Sequence, residues 1–217
     1  MQFQKEQLLL YAITDKGSTD NETFYTQIRE ALEGGITMLQ LREKDLDETT
    51  FIAEAKKIKD LCHTFDVPLI INDNLNVALQ SNADGIHVGI TDTPVREIRQ
   101  KTGSHFIIGA TAKTIAQAKA AEADGADYLG AGAVFPSPTK QNAIRITKQE
   151  LHAICTSVTI PTVAIGGINQ KNITELSGGG MSGIAVVSAI FAAEDIKTTT
   201  KNLKETITKI IKTGEPT

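Results

Sequence analysis

The feature that most constrains the fold is a recurrence: eight short, β-prone apolar runs separated by segments that mostly show a helical period. The runs are Leu8 to Ile13, Ile36 to Leu41, Val67 to Ile71, Gly85 to Val88, Phe106 to Ile108, Ala126 to Leu129, Thr162 to Ile165 and Gly183 to Val187. Several are nearly continuous rather than alternating, which is the pattern of parallel strands with helices outside and a packed interior. Eight is the count that a closed barrel needs, so the pattern predicts an α/β chain folded as a (β/α)8 TIM barrel. An open doubly wound sheet uses the same alternation, but eight strands with such short connections favour closure.

The segments between the runs carry helical stripes. Phe51, Ala55, Ile58, Cys62 and Phe65 make one apolar face, with Glu54, Lys56, Lys57 and Asp60 on the solvated side. Ile28, Ala31 and Leu32 make another, which stops at Gly34-Gly35. Ile115, Ala118 and Glu122 are spaced for a third, and Pro94 suits a first-turn helix position, where a missing amide hydrogen costs nothing. Leu203, Ile207 and Ile211 predict a terminal helix at about 196–213, which with a core at about 8–195 makes 1–217 one domain. Ala83-Asp84-Gly85 echoes Ala123-Asp124-Gly125, each leading into a short strand, as a fold of repeated β/α units allows.

Composition narrows the class of function. The 217 residues are fewer than the roughly 250 typical of this barrel, so connections must be short. A formal net charge of -4 gives no support to nucleic-acid binding, although a phosphorylated small molecule feels only the local field of its cleft. No apolar run reaches the roughly 18 residues needed to span a bilayer, and Met1 to Gln7 is too polar for the apolar part of a signal peptide. A cytoplasmic protein without a membrane partner is the expectation, and a homo-oligomer is compatible with it. Cys62 and Cys155 fall on separate helical segments and read as free thiols.

In a barrel, the residues just past each strand build the catalytic face. Gln40, Arg42 and Lys44 alternate after the second run; on one strand face, two cations and an amide can hold the oxyanions of a diphosphate. Asp73 after the third run and Asp92 after the fourth can share Mg2+, with phosphate and water oxygens completing its octahedron. His87 is expected to be a buried, hydrogen-bonded residue rather than a general base. In Phe135-Pro136-Ser137-Pro138-Thr139-Lys140, two prolines stiffen a loop whose Ser137, Thr139 and Lys140 offer phosphate donors. Gly166-Gly167 and Ser188 follow the seventh and eighth runs, where barrels often place a phosphate on free backbone amides. Gly178-Gly179-Gly180 precedes the last run and reads as a turn at the opposite end.

Taken in order, several stretches resemble the thiamine-phosphate synthase family, also called thiamine-phosphate pyrophosphorylase. They include Leu10 to Asp15, Gly35 to Lys44, Leu69 to Asn74, Ala83 to Gly89, Phe135 to Lys140, Val163 to Ile168 and Gly183 to Ile190. The resemblance implies condensation of hydroxymethylpyrimidine diphosphate with hydroxyethylthiazole phosphate, with Mg2+ as cofactor and these two phosphorylated small molecules as partners. It implies that Gln40, Arg42, Lys44, Asn72 and Lys140 hold the pyrimidine diphosphate and that Asp73 and Asp92 hold the metal. Thr111, Ser137 and Thr139 then contact phosphoryl groups, and Gly167, Val187 and Ser188 surround the thiazole phosphate. Arg42, Lys44 and Lys140 are the implied catalytic cations, because the route is dissociative and negative charge grows on the departing diphosphate. The chain departs from the family at Ile90, where glutamine is common, and at Lys113, in a stretch where histidine is more usual. A related thiazole tautomerase, or a non-catalytic thiamine-phosphate sensor, shares the scaffold but has no need of the diphosphate residues.

Overall fold

A computed structural model describes residues 3–17, 19–136 and 144–213. Eight parallel strands close into a barrel in sequence order: β1 Leu10–Ile13, β2 Met38–Leu41, β3 Leu69–Asn72, β4 Gly85–Val88, β5 Ile107–Ala112, β6 Tyr128–Gly132, β7 Thr162–Ile165 and β8 Gly183–Val186. β8 returns to β1 through the register Leu10 to Ile184, so no edge is left open. The predicted TIM barrel is therefore the fold.

The outer helices are α1 Asn21–Gly34, α2 Glu48–His63, α3 Leu75–Gln80, α4 Val95–Thr102, α5 Ile115–Ala123, α6 Lys148–Thr156, α7 Ser188–Phe191 and α8 Ile196–Thr213. Between β7 and β8 the crossover is only a 3-10 turn, Ile173–Leu176, and α3 has 6 residues. Such economies let a short chain close a full barrel. Sequence chemistry sets most helix starts. Asp20, Asp47, Asn74, Thr114 and Thr147 each accept a backbone N–H from the first turn that follows them. Gly35 ends α1 in the left-handed conformation at φ 94°, which only glycine adopts without strain. Pro94 stands one residue earlier than predicted, as the N-cap of α4, with an extended ψ of 136°.

Two apolar cores result. One lies between strands and helices, where Phe51, Ala55, Ile58 and Cys62 bury the predicted stripe of α2 while Phe65 falls just past the helix end. The other fills the barrel, with Tyr11, Met38, Ile70, Ile107, Tyr128 and Val163 pointing inward. Leu8 belongs to this second core. It was expected to begin the first strand, but Lys5–Leu8 forms a 3-10 turn and Leu8, fully buried, plugs the barrel from below. In α8, Leu203, Ile207 and Ile210 take the buried positions, with Ile211 only partly covered. Cys62 and Cys155 are free.

The predicted internal echo is real but shifted. Asp84 accepts the Leu69 N–H at 2.7 Å and pairs with Lys59, and its own amide donates to the Leu69 carbonyl. Asp127, not Asp124, repeats this: it accepts the Ile108 N–H at 2.7 Å, pairs with Arg99 at 2.6 Å and donates to the Ile108 carbonyl. Thr37 makes the same two-way clamp with Leu10, and the Ser182 amide donates to Thr162. A polar residue just ahead of each even-numbered strand thus ties it to the preceding odd one. Asp124 instead follows α5 and pairs with Arg96 on the surface.

Candidate active site

At the C-terminal end of the strands lies a cavity of about 270 Å3 that takes lining residues from all eight strands or their exits. Its floor is part apolar, from Ile13, Val163 and Ala185, and part polar, from Tyr11, Gln40 and His87. Gly178, Gly179 and Gly180 lie apart from it, beside Lys5 and Ile210, at the N-terminal end of the barrel as expected.

One wall comes from β2 to β5. Gln40 points inward from β2, as Met38 does, is 3% exposed, and its amide nitrogen donates to the Tyr11 hydroxyl at 2.6 Å. The alternation predicted for Gln40, Arg42 and Lys44 assumed a longer strand, yet β2 ends at Leu41. What carries the chain onward is Thr14, whose buried hydroxyl accepts the Arg42 N–H at 2.9 Å while its amide donates to the Gln40 carbonyl. Arg42 and Lys44 reach the same cavity from the loop. Arg42 lies 4.0 Å from Asp15, too long for a firm ion pair, so its guanidinium keeps donors to offer. Glu43 between them does not line the cavity; burial, with Glu54 next in effect, pushes its carboxyl up to about 7.

Asn72 ends β3, and its amide nitrogen donates to Asp73 at 2.6 Å. Asp73 occupies the left-handed region at φ 60°, a conformation that aspartate and asparagine tolerate better than most residues. Its position at the rim is exposed, but its carboxylate faces Asp92 inside the cleft. Partial desolvation, followed by the neighbouring Asp92, raises its pKa to about 6, against the pull of Lys44 and Arg42. Asp92 is fixed by the Gly89 N–H, which donates to it at 2.7 Å. Two carboxylates so held, with no third histidine, cysteine or acidic partner grouped with them among the described residues, form an incomplete but apt cation site. Thr111 and Lys113 complete this wall from the end of β5. Ile90 is 51% exposed and contributes no lining surface.

The opposite wall comes from β7 and β8. Gly166 and Gly167 turn at φ 102° and 65°, and a Cβ on either would strike Ala133 or the Pro136 carbonyl. Their backbone can therefore face the cavity at close range only as glycine. Val187 and Ser188 follow β8, and Ser188 opens α7 without acting as its cap. Of the residues singled out in the sequence, Gln40, Arg42, Lys44, Asn72, Asp73, Asp92, Thr111, Gly167, Val187 and Ser188 all meet in this one cavity. Ser137, Thr139 and Lys140 lie outside the described residues.

His87 is 9% exposed, as expected for a core histidine, with Nδ1 at 3.2 Å from the Tyr128 hydroxyl and Nε2 at 3.1 Å from Thr111 Oγ1. Burial lowers its pKa to about 4. Sequence reasoning overlooked Tyr11 as a lining residue and named Lys113 only as a departure from the family pattern, not as part of the site. Tyr11 sits inside a β-prone run, where an aromatic reads as core. Lys113 follows a stretch of small residues with little strand character, so its place at a strand exit is hard to see.

Comparison with known proteins agrees with this geometry. The family model described as thiamine monophosphate synthase matches residues 10–190. A thiamine-phosphate synthase of Methanobrevibacter smithii is 45% identical over 196 residues, covering 90% of this chain and 93% of the relative. Thiamine-phosphate synthase 2 of Streptococcus pneumoniae is 43% identical over 91% of this chain and 94% of its own length. Among solved structures, thiamine phosphate pyrophosphorylase from Pyrococcus furiosus superposes with a TM-score of 0.88 at 37% identity, covering 95% of this chain and 98% of that one. A fold, a site and a sequence match extending over most of the chain converge, and the chain belongs to the thiamine monophosphate synthase family.

Proposed function

We propose that the cavity joins hydroxymethylpyrimidine diphosphate to hydroxyethylthiazole phosphate, releasing diphosphate and forming thiamine phosphate. One observation carries the reading: residues suited to a diphosphate line one wall and residues suited to a second phosphate line the wall across from it. Gln40, Arg42, Lys44, Asn72 and Thr111 hold the pyrimidine diphosphate, and Gly167, Val187 and Ser188 surround the thiazole phosphate. Ser137, Thr139 and Lys140 belong to the same assignment by family resemblance.

The reaction needs one bond broken and one formed. The methylene carbon loses its diphosphate oxygen, both bonding electrons leaving with the diphosphate, and the thiazole nitrogen then donates its lone pair to that carbon. No proton changes hands at these atoms, which suits a site whose one histidine is buried, neutral and bonded at both ring nitrogens. Arg42 and Lys44 face the oxygens on which negative charge accumulates, so their attraction grows toward the transition state. Apolar Ile13, Val163 and Ala185 keep water from competing with the thiazole for the electron-poor carbon.

Asp73 and Asp92 fit a hard divalent cation such as Mg2+, which commonly takes one or two carboxylates and fills its shell with phosphate and water oxygens. Partial desolvation first, and the facing Asp92 second, raise the pKa of Asp73, and a cation held between the two carboxylates would offset both effects. When bound there, the ion supplies further positive charge to the leaving diphosphate.

The test is stoichiometric. Purified protein given both substrates and Mg2+ is expected to yield thiamine phosphate and diphosphate in equal amounts, and neither product when one substrate is omitted. Failure of the complete mixture to form thiamine phosphate would reject the assignment.

A further inference from the structure

Five polar side chains cross the barrel beneath the cavity as one hydrogen-bonded chain. Gln40 Nε2 donates to the Tyr11 hydroxyl at 2.6 Å, and the Tyr11 and Tyr128 hydroxyls lie 2.9 Å apart. Tyr128 is 3.2 Å from His87 Nδ1, and His87 Nε2 is 3.1 Å from Thr111 Oγ1. The two tyrosines are at most 1% exposed, and Tyr128 is the member of the five that does not line the cavity. Gly109 makes room for the chain, since a Cβ there would strike both the Tyr128 phenol and the His87 ring.

Counting hydrogens gives the chain a direction. An amide nitrogen only donates, so the Tyr11 oxygen accepts from Gln40 and its own hydrogen goes to Tyr128. The Tyr128 hydrogen then goes to His87 Nδ1, which must be bare. A neutral imidazole carries one hydrogen, here on Nε2, and donates it to Thr111. The Thr111 hydroxyl hydrogen is left free for the cavity. Run the other way, the Tyr11 hydrogen finds an acceptor only if the Gln40 amide turns over to present Oε1, so the orientation of that amide, with Nε2 toward Tyr11, sets the direction.

We infer that Gln40, Tyr11, Tyr128 and His87 form a directional relay that presents the Thr111 hydroxyl to the cavity as a hydrogen-bond donor. Thr111 then seats a lone-pair acceptor of the substrate, an oxyanion or an unprotonated ring nitrogen. Tyr128 becomes a positioning residue that touches no ligand. The role in catalysis rests on the cavity being the substrate site; the direction of the relay does not.

Nitrogen-15 NMR reads the direction. The protein has 4 histidines, and His87 is assigned by the signals missing from His87→Gln. The wild type is expected to show a protonated Nε2 and a bare Nδ1. Because free imidazole also favours that tautomer, the discriminating variant is Gln40→Glu, measured at alkaline pH. A carboxylate there only accepts, so the relay reverses and the hydrogen moves to Nδ1; adding Tyr128→Phe cuts the relay and abolishes the effect of Gln40→Glu. A hydrogen on Nδ1 in the wild type, or an unchanged tautomer in folded Gln40→Glu, overturns the inference. Should Gln40→Glu not fold, kinetics decide. Tyr128→Phe is expected to lower kcat/KM about tenfold, with Thr111→Val adding little in that background. Fully multiplicative losses overturn the relay. An inactive wild type with the expected tautomer and its reversal supports the relay and rejects the functional reading instead.

Discussion

Replacing Asp73 with asparagine is expected to stabilise the metal-free protein while disabling it. Asparagine tolerates the left-handed backbone at φ 60° and keeps the oxygen that accepts from Asn72. It removes a carboxylate whose pKa rises from 3.8 to about 6 because of partial desolvation and the facing Asp92. At about 1.4 kcal/mol per unit the full shift corresponds to roughly 3 kcal/mol. Asp73 is exposed at the rim, so solvent screening reduces the usable part to about 1 kcal/mol, or about 2–4 °C in Tm for a chain of this size. The sign follows from proton linkage. The native state binds this proton more tightly than the unfolded chain, so the contribution of Asp73 to stability is fullest below about pH 4 and is lost as pH rises through about 6. Asp73→Asn escapes that decline. Thermal unfolding with a chelator at pH 7.5 is expected to favour the variant, with the gap closing near pH 4, whereas added Mg2+ raises the wild type more. Turnover is expected to fall about a hundredfold. A variant less stable than the wild type at pH 7.5 without metal would refute the reasoning, because it would mean that the paired carboxylates are not in conflict.

Other perturbations separate the roles of the barrel's two ends. Arg42→Ala is expected to lower kcat at saturating substrate by about 10²–10³-fold, since its attraction grows as the diphosphate leaves; a raised KM with unchanged kcat would show that it only binds. Gly109→Ala drives a methyl group into Tyr128 and His87 and is expected to cost about 1–3 kcal/mol in denaturant unfolding, a loss that wild-type stability would disprove. Asp127→Ala leaves the Ile108 amide and Arg99 without their carboxylate at the end away from the cavity. It is expected to cost about 1–3 kcal/mol of stability with kcat/KM within about twofold, and a larger catalytic loss would contradict the separation.

The strands were legible because a barrel buries both faces of each, leaving continuous apolar runs that survive without any knowledge of pairing. Their ends were less so. Gly109 to Ala112 and Gly130 to Gly132 have little strand propensity of their own and are held in the ladder by neighbours on both sides. Leu8 looked like strand because a plug and a strand residue are equally apolar. The Asp84 repeat was read against Asp124 because the local tripeptides match, although the clamp depends on an amide of the preceding strand, which puts Asp127 in that role. At the site, charge just past an apolar run identified Arg42, Lys44, Asp73 and Asp92. The relay stayed hidden because Tyr11 and Tyr128 look like core and meet only when β1 and β6 point into one interior.

The most direct test of the account follows both products in one sample, with Mg2+ present and after rigorous metal removal. Diphosphate and thiamine phosphate are expected to appear together at equal rates with Mg2+, and formation of both is expected to collapse without it. Thiamine phosphate formed equally fast in the metal-free sample would contradict the joint assignment of Asp73, Asp92 and the cationic wall to the leaving diphosphate.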